Sequence, residues 1–338
     1  MPKQMYTILI PDRLAPPPDV EQKVFGADTR IIVAQATYSN QIDDAIWAEC
    51  DGILAWHDLT FDAPLLDKLL KCNVIVRVGA GFDNVDLIAA AKRRISVCTV
   101  PDYGIDDVAD HAMGMLLALA RGIVPCNELA RNGEWNWGYA SGLHRLTGEY
   151  LGIIGLGRIG SALARRAQAF GQNVLFYDPY QPVGIEKSWG LERCWNLGDI
   201  AERCRYISIH TPLTAETRGL IGSDFFAGCK LQPIIINTAR GPIVDLDALF
   251  DALVSDKVVA AGLDVLMEEP PNRDIPLIKA WRKHNHKINQ RLIITPHCAF
   301  CNVESLEEMR RKAAEEALRI LTNQNPRSPM CQGSCRVN

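Results

Sequence analysis

The chain has 338 residues, too many for one ordinary hydrophobic core, so its length predicts two domains. A composition of 48% apolar and 22% charged residues is that of a globular protein and excludes a disordered or fibrous chain. The formal net charge of −4 gives no electrostatic reason to expect nucleic acid or an anionic membrane as a partner.

The cysteines and the N-terminal sequence bear on the cellular compartment. Eleven cysteines, scattered from Cys50 to Cys335, form no compact disulfide framework and are interpreted as ordinary thiols in a reducing cytoplasm. Cys298 and Cys301 are spaced like a metal-ligand pair, but no second pair completes a site, so no metal is predicted. Because the chain also lacks a signal-peptide pattern and a long apolar run, a soluble cytoplasmic protein is expected.

The first half of the chain alternates short β-rich runs with helical patterns, which predicts parallel sheets built from βαβ units. The predicted strands are YTILI, RIIVA, GILAW, NVIVRV and ISVC, with helical patterns at 42–50, 63–72 and 85–93. A long apolar helix is then predicted over about 106–120, with Asp106 as its N-terminal cap.

The alternation begins again after a Trp- and Gly-rich segment. The predicted strands of this second half are YLGIIGL, NVLFYD, YISIH, PIIINT, VVAAGLDV and RLIITP. A helix at 303–321 and a polar tail close the chain, and no strand is predicted after that helix. Two rounds of alternation predict two α/β domains.

A glycine-rich turn joins the strand YLGIIGL to the helical run SALARRAQAF. Gly155 permits the tight turn, Gly157 lets the backbone approach a pyrophosphate, and Gly160 lets the helix pack close to the strand. The N-terminus of the helix favours phosphate groups. Asp178 ends the next strand, where it can accept hydrogen bonds from ribose hydroxyls and repel a 2′-phosphate. The pattern predicts an NAD site, with a plain tight turn and a surface Asp as the alternative.

Four polar residues follow later apolar strands, at the edge where open α/β sheets bind ligands. Reduction of a 2-oxo acid needs a cation for its carboxylate, which Arg240 can supply, and a proton donor, which His297 can supply. A carboxylate behind the histidine, such as Glu269, would orient it and keep it protonated. Singly, each residue also fits a surface ion pair or a solvated strand end. Together, after a dinucleotide motif, Arg240, Glu269 and His297 favour a catalytic set, while Asp264 is a further polar residue at a strand end.

These segments resemble the D-isomer-specific 2-hydroxyacid dehydrogenase family over nearly the whole chain. The matching blocks are GLGRIG, HTPLTAETRGLI, NTARGPIVD, GLDVLMEEP and TPHCAF. RVGAGFDNVD, VPDYGIDDVADHAMG and EWNW are most similar to the branch related to C-terminal-binding protein, a corepressor. The resemblance implies an NAD-dependent enzyme that interconverts a small 2-oxo acid and its D-2-hydroxy acid. An NAD(H)-sensing, corepressor-like dimeric scaffold is the alternative, and the short tail after the last helix favours the enzyme.

The resemblance also implies residue roles. Arg240 would bind substrate, and His297, paired with Glu269, would be the acid/base. The implied cofactor-binding residues are Gly155, Gly157, Arg158, Ile159, Gly160, Asp178, His210, Thr211, Pro212, Thr238, Ala239 and Asp264. The backbone of Val78, Gly79, Ala80 and Gly81 would cradle the substrate carboxylate, and Phe300 would form an apolar wall of the pocket. For Arg77 and His57, a place in the pocket and a structural salt bridge are both open.

The implied architecture is two doubly wound parallel-sheet domains. A Rossmann cofactor domain (104–302) would be inserted into a flavodoxin-like substrate domain (1–103 and 303–338), and two copies would pair through their cofactor domains. The sequence departs from the family in two places. Ile105 stands where many members carry a Thr that touches the cofactor. The segment 279–291 is longer and more basic than usual, which fits a solvated loop or a contact with a second acidic group of the substrate.

Overall fold

The computed structural model describes residues 5–12, 17–283 and 287–331. The chain divides into two compact units. Unit 1 contains residues 1–104 and 302–338, and unit 2 contains residues 105–301. The domain boundaries drawn from the sequence differ from these by one residue.

Strands and helices alternate along both units. Unit 1 begins with β1 (Thr7–Ile10), α1 (Asp19–Phe25), β2 (Arg30–Val33), α2 (Asp44–Glu49), β3 (Gly52–Ala55), α3 (Ala63–Asp67), β4 (Val74–Arg77), α4 (Leu87–Lys92) and β5 (Ser96–Thr99). Unit 2 contains α5 (Ile105–Ala120), α6 (Ile123–Arg131), β6 (Tyr150–Ile154), α7 (Arg158–Ala169), β7 (Asn173–Tyr177), α8 (Ile185–Trp189), β8 (Glu192–Cys194), α9 (Leu197–Arg203), β9 (Tyr206–Ile209), α10 (Ser223–Gly228), β10 (Ile234–Asn237), α11 (Leu246–Val254), β11 (Ala260–Leu263), α12 (Pro276–Arg282) and β12 (Leu292–Ile294). Unit 1 then resumes with α13 (Val303–Leu321) and β13 (Pro329–Cys331).

Unit 1 is built on a sheet with the strand order β13-β5-β4-β3-β1-β2. The five strands from the first 104 residues are parallel, in the flavodoxin-like order 2-1-3-4-5. Strands β3, β4 and β5 are buried along their whole length, as expected for a parallel sheet covered by helices on both faces. The predicted α/β class with two parallel-sheet units is confirmed.

The absence of a strand after the closing helix is a prediction that is wrong. β13 pairs antiparallel with β5, with Pro329 opposite Cys98. Glu316, buried on α13, accepts hydrogen bonds from the amides of Arg327 and Ser328 at 2.6 and 3.1 Å, which fixes the approach to this strand. The tail has no apolar alternation, so only these tertiary contacts identify it as a strand.

Unit 2 is built on a parallel sheet with the order β12-β11-β10-β9-β6-β7-β8. Counted within the unit this is 3-2-1-4-5-6 with one further strand, the dinucleotide-binding arrangement. The short strand β8 and the helix α6 were not predicted. α5 begins at Ile105, so Asp106 lies in its first turn instead of capping it.

Two further observations concern helices and cysteines. Among the described residues no single helix is long and apolar enough to cross a bilayer; only α5 and α6 together, bent by 58° at their junction, reach that length and composition. Most residues on the inner face of α5 are buried against the sheet of unit 2.

Ten of the eleven cysteines lie in the described part of the chain, and all ten are free thiols.

Candidate active site

The glycine turn after β6 has the geometry that the sequence motif predicts. Gly155 has φ of 95°, and a Cβ there would lie 2.8 Å from the backbone of His210 and Thr211. A Cβ on Gly160 would lie 2.2 Å from the carbonyl oxygen of Gly155. Gly157, just before α7, has no heavy atom within 4 Å of its own Cβ position. The turn is therefore closed on its protein side and open at Gly157, which fits a pyrophosphate at the N-terminus of α7.

Asp178 follows β7 beside this turn. Its Oδ2 accepts a hydrogen bond from the Leu156 amide at 2.9 Å, and its Oδ1 accepts one from the Tyr180 amide at 2.9 Å. Each oxygen of an ionised carboxylate has a second lone pair, so Asp178 can still accept from ribose hydroxyls. These amide bonds also fix the carboxylate in place before any ligand arrives.

The segment after β9 lies against the glycine turn. The His210 ring pairs with the Ser208 hydroxyl through Nε2 at 2.8 Å, while Nδ1 is buried without a hydrogen-bond partner among the described residues. Burial lowers the pKa of His210 to about 4, so its imidazole is neutral near pH 7. Thr211 donates its hydroxyl to the carbonyl of Pro212 at 2.9 Å. This segment therefore forms an uncharged wall beside the turn.

Arg240 lies just beyond β10, in a backbone arrangement held by Asn237. The Asn237 side chain accepts from the Ala239 amide at 3.0 Å and donates to the Arg240 carbonyl at 2.9 Å. Arg240 Nη1 donates to the Ala239 carbonyl at 2.7 Å. Thr238 is buried, and within the described structure its hydroxyl has no hydrogen-bond partner. A polar ligand group at this strand end would satisfy that hydroxyl.

His297 and Glu269 form the pair that the sequence predicts. His297 Nδ1 lies 2.7 Å from Glu269 Oε2, and Glu269 Oε1 accepts from the Leu266 amide at 2.8 Å. The carboxylate is thus held from behind and in turn orients the imidazole, leaving Nε2 on the opposite side of the ring. Phe300 packs edge-on against His297, with ring centroids 6.3 Å apart. Phe300, predicted as an apolar wall of the pocket, thus also contacts the histidine.

Asp264 organises the backbone that carries His297. Its side chain is 1% exposed, and its Oδ1 accepts from the Thr295 hydroxyl at 2.6 Å and from the Cys298 amide at 2.9 Å. Its Oδ2 accepts from the Ala299 amide at 3.0 Å. The Asp264 carbonyl accepts from the His297 amide at 2.8 Å. The sequence indicated Asp264 as a cofactor contact; its bracing of this turn was not anticipated.

The catalytic candidates share one edge of the unit 2 sheet. Arg240, Asp264 and His297 follow β10, β11 and β12, three neighbouring parallel strands, and the glycine turn follows β6 in the same sheet. Carboxyl ends of parallel strands lie at the same edge, which is where such sheets bind ligands. One unit therefore carries the dinucleotide turn, the Arg and the His–Glu pair.

Two amides of the predicted backbone cradle in unit 1 are hydrogen-bonded within the fold. The Val78 amide donates to the Ala55 carbonyl at 2.7 Å, and the Gly79 amide donates to the Arg77 carbonyl at 2.8 Å. Because these two amides already have partners, Ala80 and Gly81 are the better candidates of the four, and the cradle stays a prediction.

Arg77 and His57 make local contacts in unit 1. Arg77 is buried, and its Nη1 donates to the Val78 carbonyl at 2.6 Å. Burial raises the pKa of nearby Asp12, and the charge of Arg77 opposes that rise. His57 Nε2 lies 3.7 Å from Asp58 Oδ1. For both residues these contacts favour the structural interpretation that the sequence left open.

The two departures from the family pattern also have structural counterparts. Ile105 packs against the core of unit 2 at the start of α5. At the end of the basic segment, Lys287 donates to the Val254 carbonyl, and Arg291 pairs with Asp256 at 2.8 Å. Both cations hold the end of α11, which favours a surface role for them, while residues 284–286 lie outside the described residues.

The fold and the glycine turn of unit 2 define a dinucleotide-binding α/β protein. Residues 113–299 match the model of the family described as D-isomer specific 2-hydroxyacid dehydrogenase, NAD binding domain. The chain therefore belongs to this family, and the predicted NAD cofactor is confirmed at that level.

Individual relatives agree with the family assignment. D-3-phosphoglycerate dehydrogenase of Methanocaldococcus jannaschii is 38% identical over 76% of this chain and 47% of its own length, so the chain spans about half of that relative. Glyoxylate reductase of Korarchaeum cryptofilum is 32% identical over 82% of each chain. The NADPH-dependent glyoxylate/hydroxypyruvate reductase of Sinorhizobium meliloti, solved with NADP and malonate, has a TM-score of 0.83 and 25% identity, covering 97% of both chains.

Proposed function

We propose that the protein is an NAD-dependent dehydrogenase that interconverts a small 2-oxo acid and its D-2-hydroxy acid. The observation that carries the proposal is the 2.7 Å contact between His297 Nδ1 and Glu269 Oε2, at the sheet edge that also bears the glycine turn. The names of the two curated relatives, a 3-phosphoglycerate dehydrogenase and a glyoxylate reductase, support a small 2-oxo or 2-hydroxy acid as substrate.

The proposed mechanism assigns each residue one task. Bound NADH supplies the hydride. As negative charge develops on the carbonyl oxygen of the substrate, His297 gives it a proton from Nε2. Glu269 accepts the Nδ1–H and stabilises the positive charge of the imidazolium. Arg240 grips the substrate carboxylate through two parallel N–H donors. In the oxidative direction neutral His297 takes the proton back.

The proposal extends to cofactor choice and to unit 1. Asp178, held by two amides, accepts from the ribose hydroxyls and disfavours a 2′-phosphate, so NADH is preferred even though the Sinorhizobium relative is NADPH-dependent. His210, Thr211 and Pro212 border the cofactor, and the Thr238–Ala239 backbone with Asp264 holds its carboxamide. The amides of Ala80 and Gly81 bind the substrate carboxylate.

A panel of 2-oxo acids, assayed by absorbance with NADH and NADPH, tests this function. At least one acid should turn over at about 1–10³ s⁻¹, with NADH the better cofactor. His297→Ala should lower kcat about 10²–10⁴-fold, because the proton donor is lost. His144→Ala, at an exposed histidine of the same unit, is the matched control and should leave kcat unchanged. Near-normal turnover of His297→Ala would show that the acid/base assignment is wrong.

The same assay separates the enzyme from the scaffold. The resemblance of three segments to the branch related to C-terminal-binding protein makes an NAD(H)-sensing scaffold the second candidate. That function needs tight NADH binding without rapid turnover. Marginal rates across the whole panel, together with tight NADH binding, would support the scaffold over the enzyme.

We also propose that two copies pair through unit 2. Trp135 and Trp137 are 93% and 85% exposed, and Ile123 and Val124 on the adjoining α6 are about half exposed. Exposed apolar side chains concentrated in one segment mark an interaction surface, and the family resemblance supplies a second copy as the partner. Sedimentation should give twice the chain mass, and replacing both tryptophans with Ser should give the monomer. A wild-type protein that is monomeric at all concentrations would refute the pairing.

A further inference from the structure

Three side chains with metal-ligating atoms converge beside the turn that carries His297. They are His111 on α5, Asp264 after β11 and Cys298 after β12, and their ligand atoms all lie within 4.8 Å of one another. His111 Nε2 lies 3.7 Å from Asp264 Oδ1. All three residues belong to unit 2. An imidazole, a carboxylate and a thiol in one place form a donor set that zinc uses in proteins.

The spacing of these atoms is close to that of a tetrahedral zinc site. Zinc bonds of about 2.0–2.3 Å place neighbouring ligand atoms about 3.3–3.6 Å apart. The His–Asp separation of 3.7 Å already fits this value. No two of the three ligand atoms are more than 4.8 Å apart, so side-chain movement of about 1 Å would bring every pair to the zinc-site distance. Three protein ligands and one water would complete the coordination shell.

The surroundings hold the central ligand in position. The amides of Cys298 and Ala299 and the hydroxyl of Thr295 orient the Asp264 carboxylate, and Oδ2 accepts from the amide of Ala299. Outer hydrogen bonds of this kind tune metal sites. His111 Nε2 contacts the Thr295 hydroxyl at 3.0 Å, so the imidazole already faces the cluster.

We propose that His111, Asp264 and Cys298 form a binding site for Zn²⁺. Thiolate and imidazole ligands select zinc over Mg²⁺ and Ca²⁺, which prefer oxygen donors. A cysteine thiol carries a proton at neutral pH until metal binds. Zinc replaces that proton: the S–H bond breaks, a Zn–S bond forms, and one proton leaves to solvent, with no change in oxidation state.

Occupancy of the site affects the turn that carries His297. Asp264 accepts from the amides of Cys298 and Ala299, and its carbonyl accepts from the amide of His297. Zinc would draw the side chains of Asp264 and Cys298 together. It would also weaken the hydrogen bonds by which the Asp264 carboxylate holds the Cys298 and Ala299 amides, here called the Asp264 brace. Zinc should therefore inhibit turnover, a consequence that rests on the proposed function, whereas the binding itself does not.

Titration of the tag-free full chain with Co²⁺ tests binding without any activity assay. Cobalt bound by a thiolate should give a near-ultraviolet charge-transfer band that saturates at one ion per chain and is removed by Zn²⁺ but not by Mg²⁺. Cys298→Ser should abolish the band, and His111→Gln should weaken the binding at least about 10-fold. Cys301→Ser is the matched control, because this exposed thiol three residues away lies outside the cluster, and it should keep the band.

Each result decides the question. A wild-type chain without the band, a band that survives in Cys298→Ser, or one lost in Cys301→Ser would overturn the site. If Cys298→Ser does not fold, an unchanged cobalt affinity in His111→Gln would overturn it instead. Zinc inhibition should be reversed by a chelator and should need at least about 10-fold more metal in His111→Gln. Cobalt binding with turnover untouched by zinc would overturn the inhibition alone.

Discussion

Two turns at the same edge of the unit 2 sheet are built on opposite principles. The turn after β6 removes side chains: Gly155 and Gly160 sit where a Cβ would meet backbone atoms. The turn after β12 keeps its side chains, although His297 has φ of 50°, a region that disfavours residues other than glycine. There the buried carboxylate of Asp264 receives the amides that follow the histidine.

The difference follows from what each turn must do. A phosphate is bound by backbone amides, so the first turn gains from the absence of side chains. A proton donor must be a side chain, so the second turn has to keep His297 in a costly conformation and needs stabilisation from elsewhere. The two turns should therefore fail in different ways when they are altered.

The largest effect should come from adding a methyl group to the glycine turn. Gly160→Ala places Cβ 2.2 Å from a backbone carbonyl oxygen that cannot move aside, so it should cost about 3 kcal/mol of unfolding free energy and abolish NADH binding. Gly157→Ala is the matched control: it meets no atom, so stability should be unchanged while the KM for NADH rises. Urea unfolding and NADH titration measure both. Equal stability of the two variants would contradict this account of the turn.

The same contrast explains how far the sequence predicts the molecule. The glycine turn, Asp178 and the Arg240–Glu269–His297 set are recognisable because their constraints act over a few residues or match family blocks. The Asp264 brace joins residues 34 and 35 positions apart and leaves no local pattern. β13 escaped prediction because a strand of three residues is defined by its partner strand and not by its own sequence. The Val78 and Gly79 amides donate to backbone carbonyls of unit 1, and the sequence alone does not reveal these partners.

A smaller effect should follow from weakening the brace. Asp264→Asn turns an NH₂ group toward an amide or hydroxyl donor, leaving one donor unpaired at a cost of about 1–3 kcal/mol. If the brace is the main role, kcat should fall about 10-fold while the KM for NADH changes little. Thr295→Val removes only the hydroxyl that donates to Asp264, so its kcat should decrease less than that of Asp264→Asn. A raised KM for NADH with unchanged kcat would show instead that Asp264 acts mainly on the cofactor.

The last effect appears only in acid and concerns His210, behind the glycine turn. Its pKa of about 4 in the folded chain lies below the ordinary 6.5, so the unfolded chain binds the extra proton more readily. The free energy of unfolding therefore keeps its full value above pH 6.5. It decreases by on the order of 1 kcal/mol per pH unit as the pH falls towards 4. In urea unfolding across this pH range, the unfolding free energy of His210→Gln should decrease less with falling pH than that of the wild type. The control His144→Gln, at an exposed histidine, should decrease like the wild type. Parallel slopes in all three would refute this linkage.

The closing helix and strand of unit 1 bear on the order of folding during synthesis. α13 packs on α1, β3 and β4, and Ser328 donates to the carbonyl of Thr99, 229 residues earlier in the chain. Ribosomes deliver chains from the N-terminus, so unit 2 emerges whole while the first 104 residues still lack α13 and β13. Until those elements arrive, β5 has one unpaired edge and Glu21 lacks its ion-pair partner Arg310. The unit whose synthesis begins first is thus the unit that is completed last.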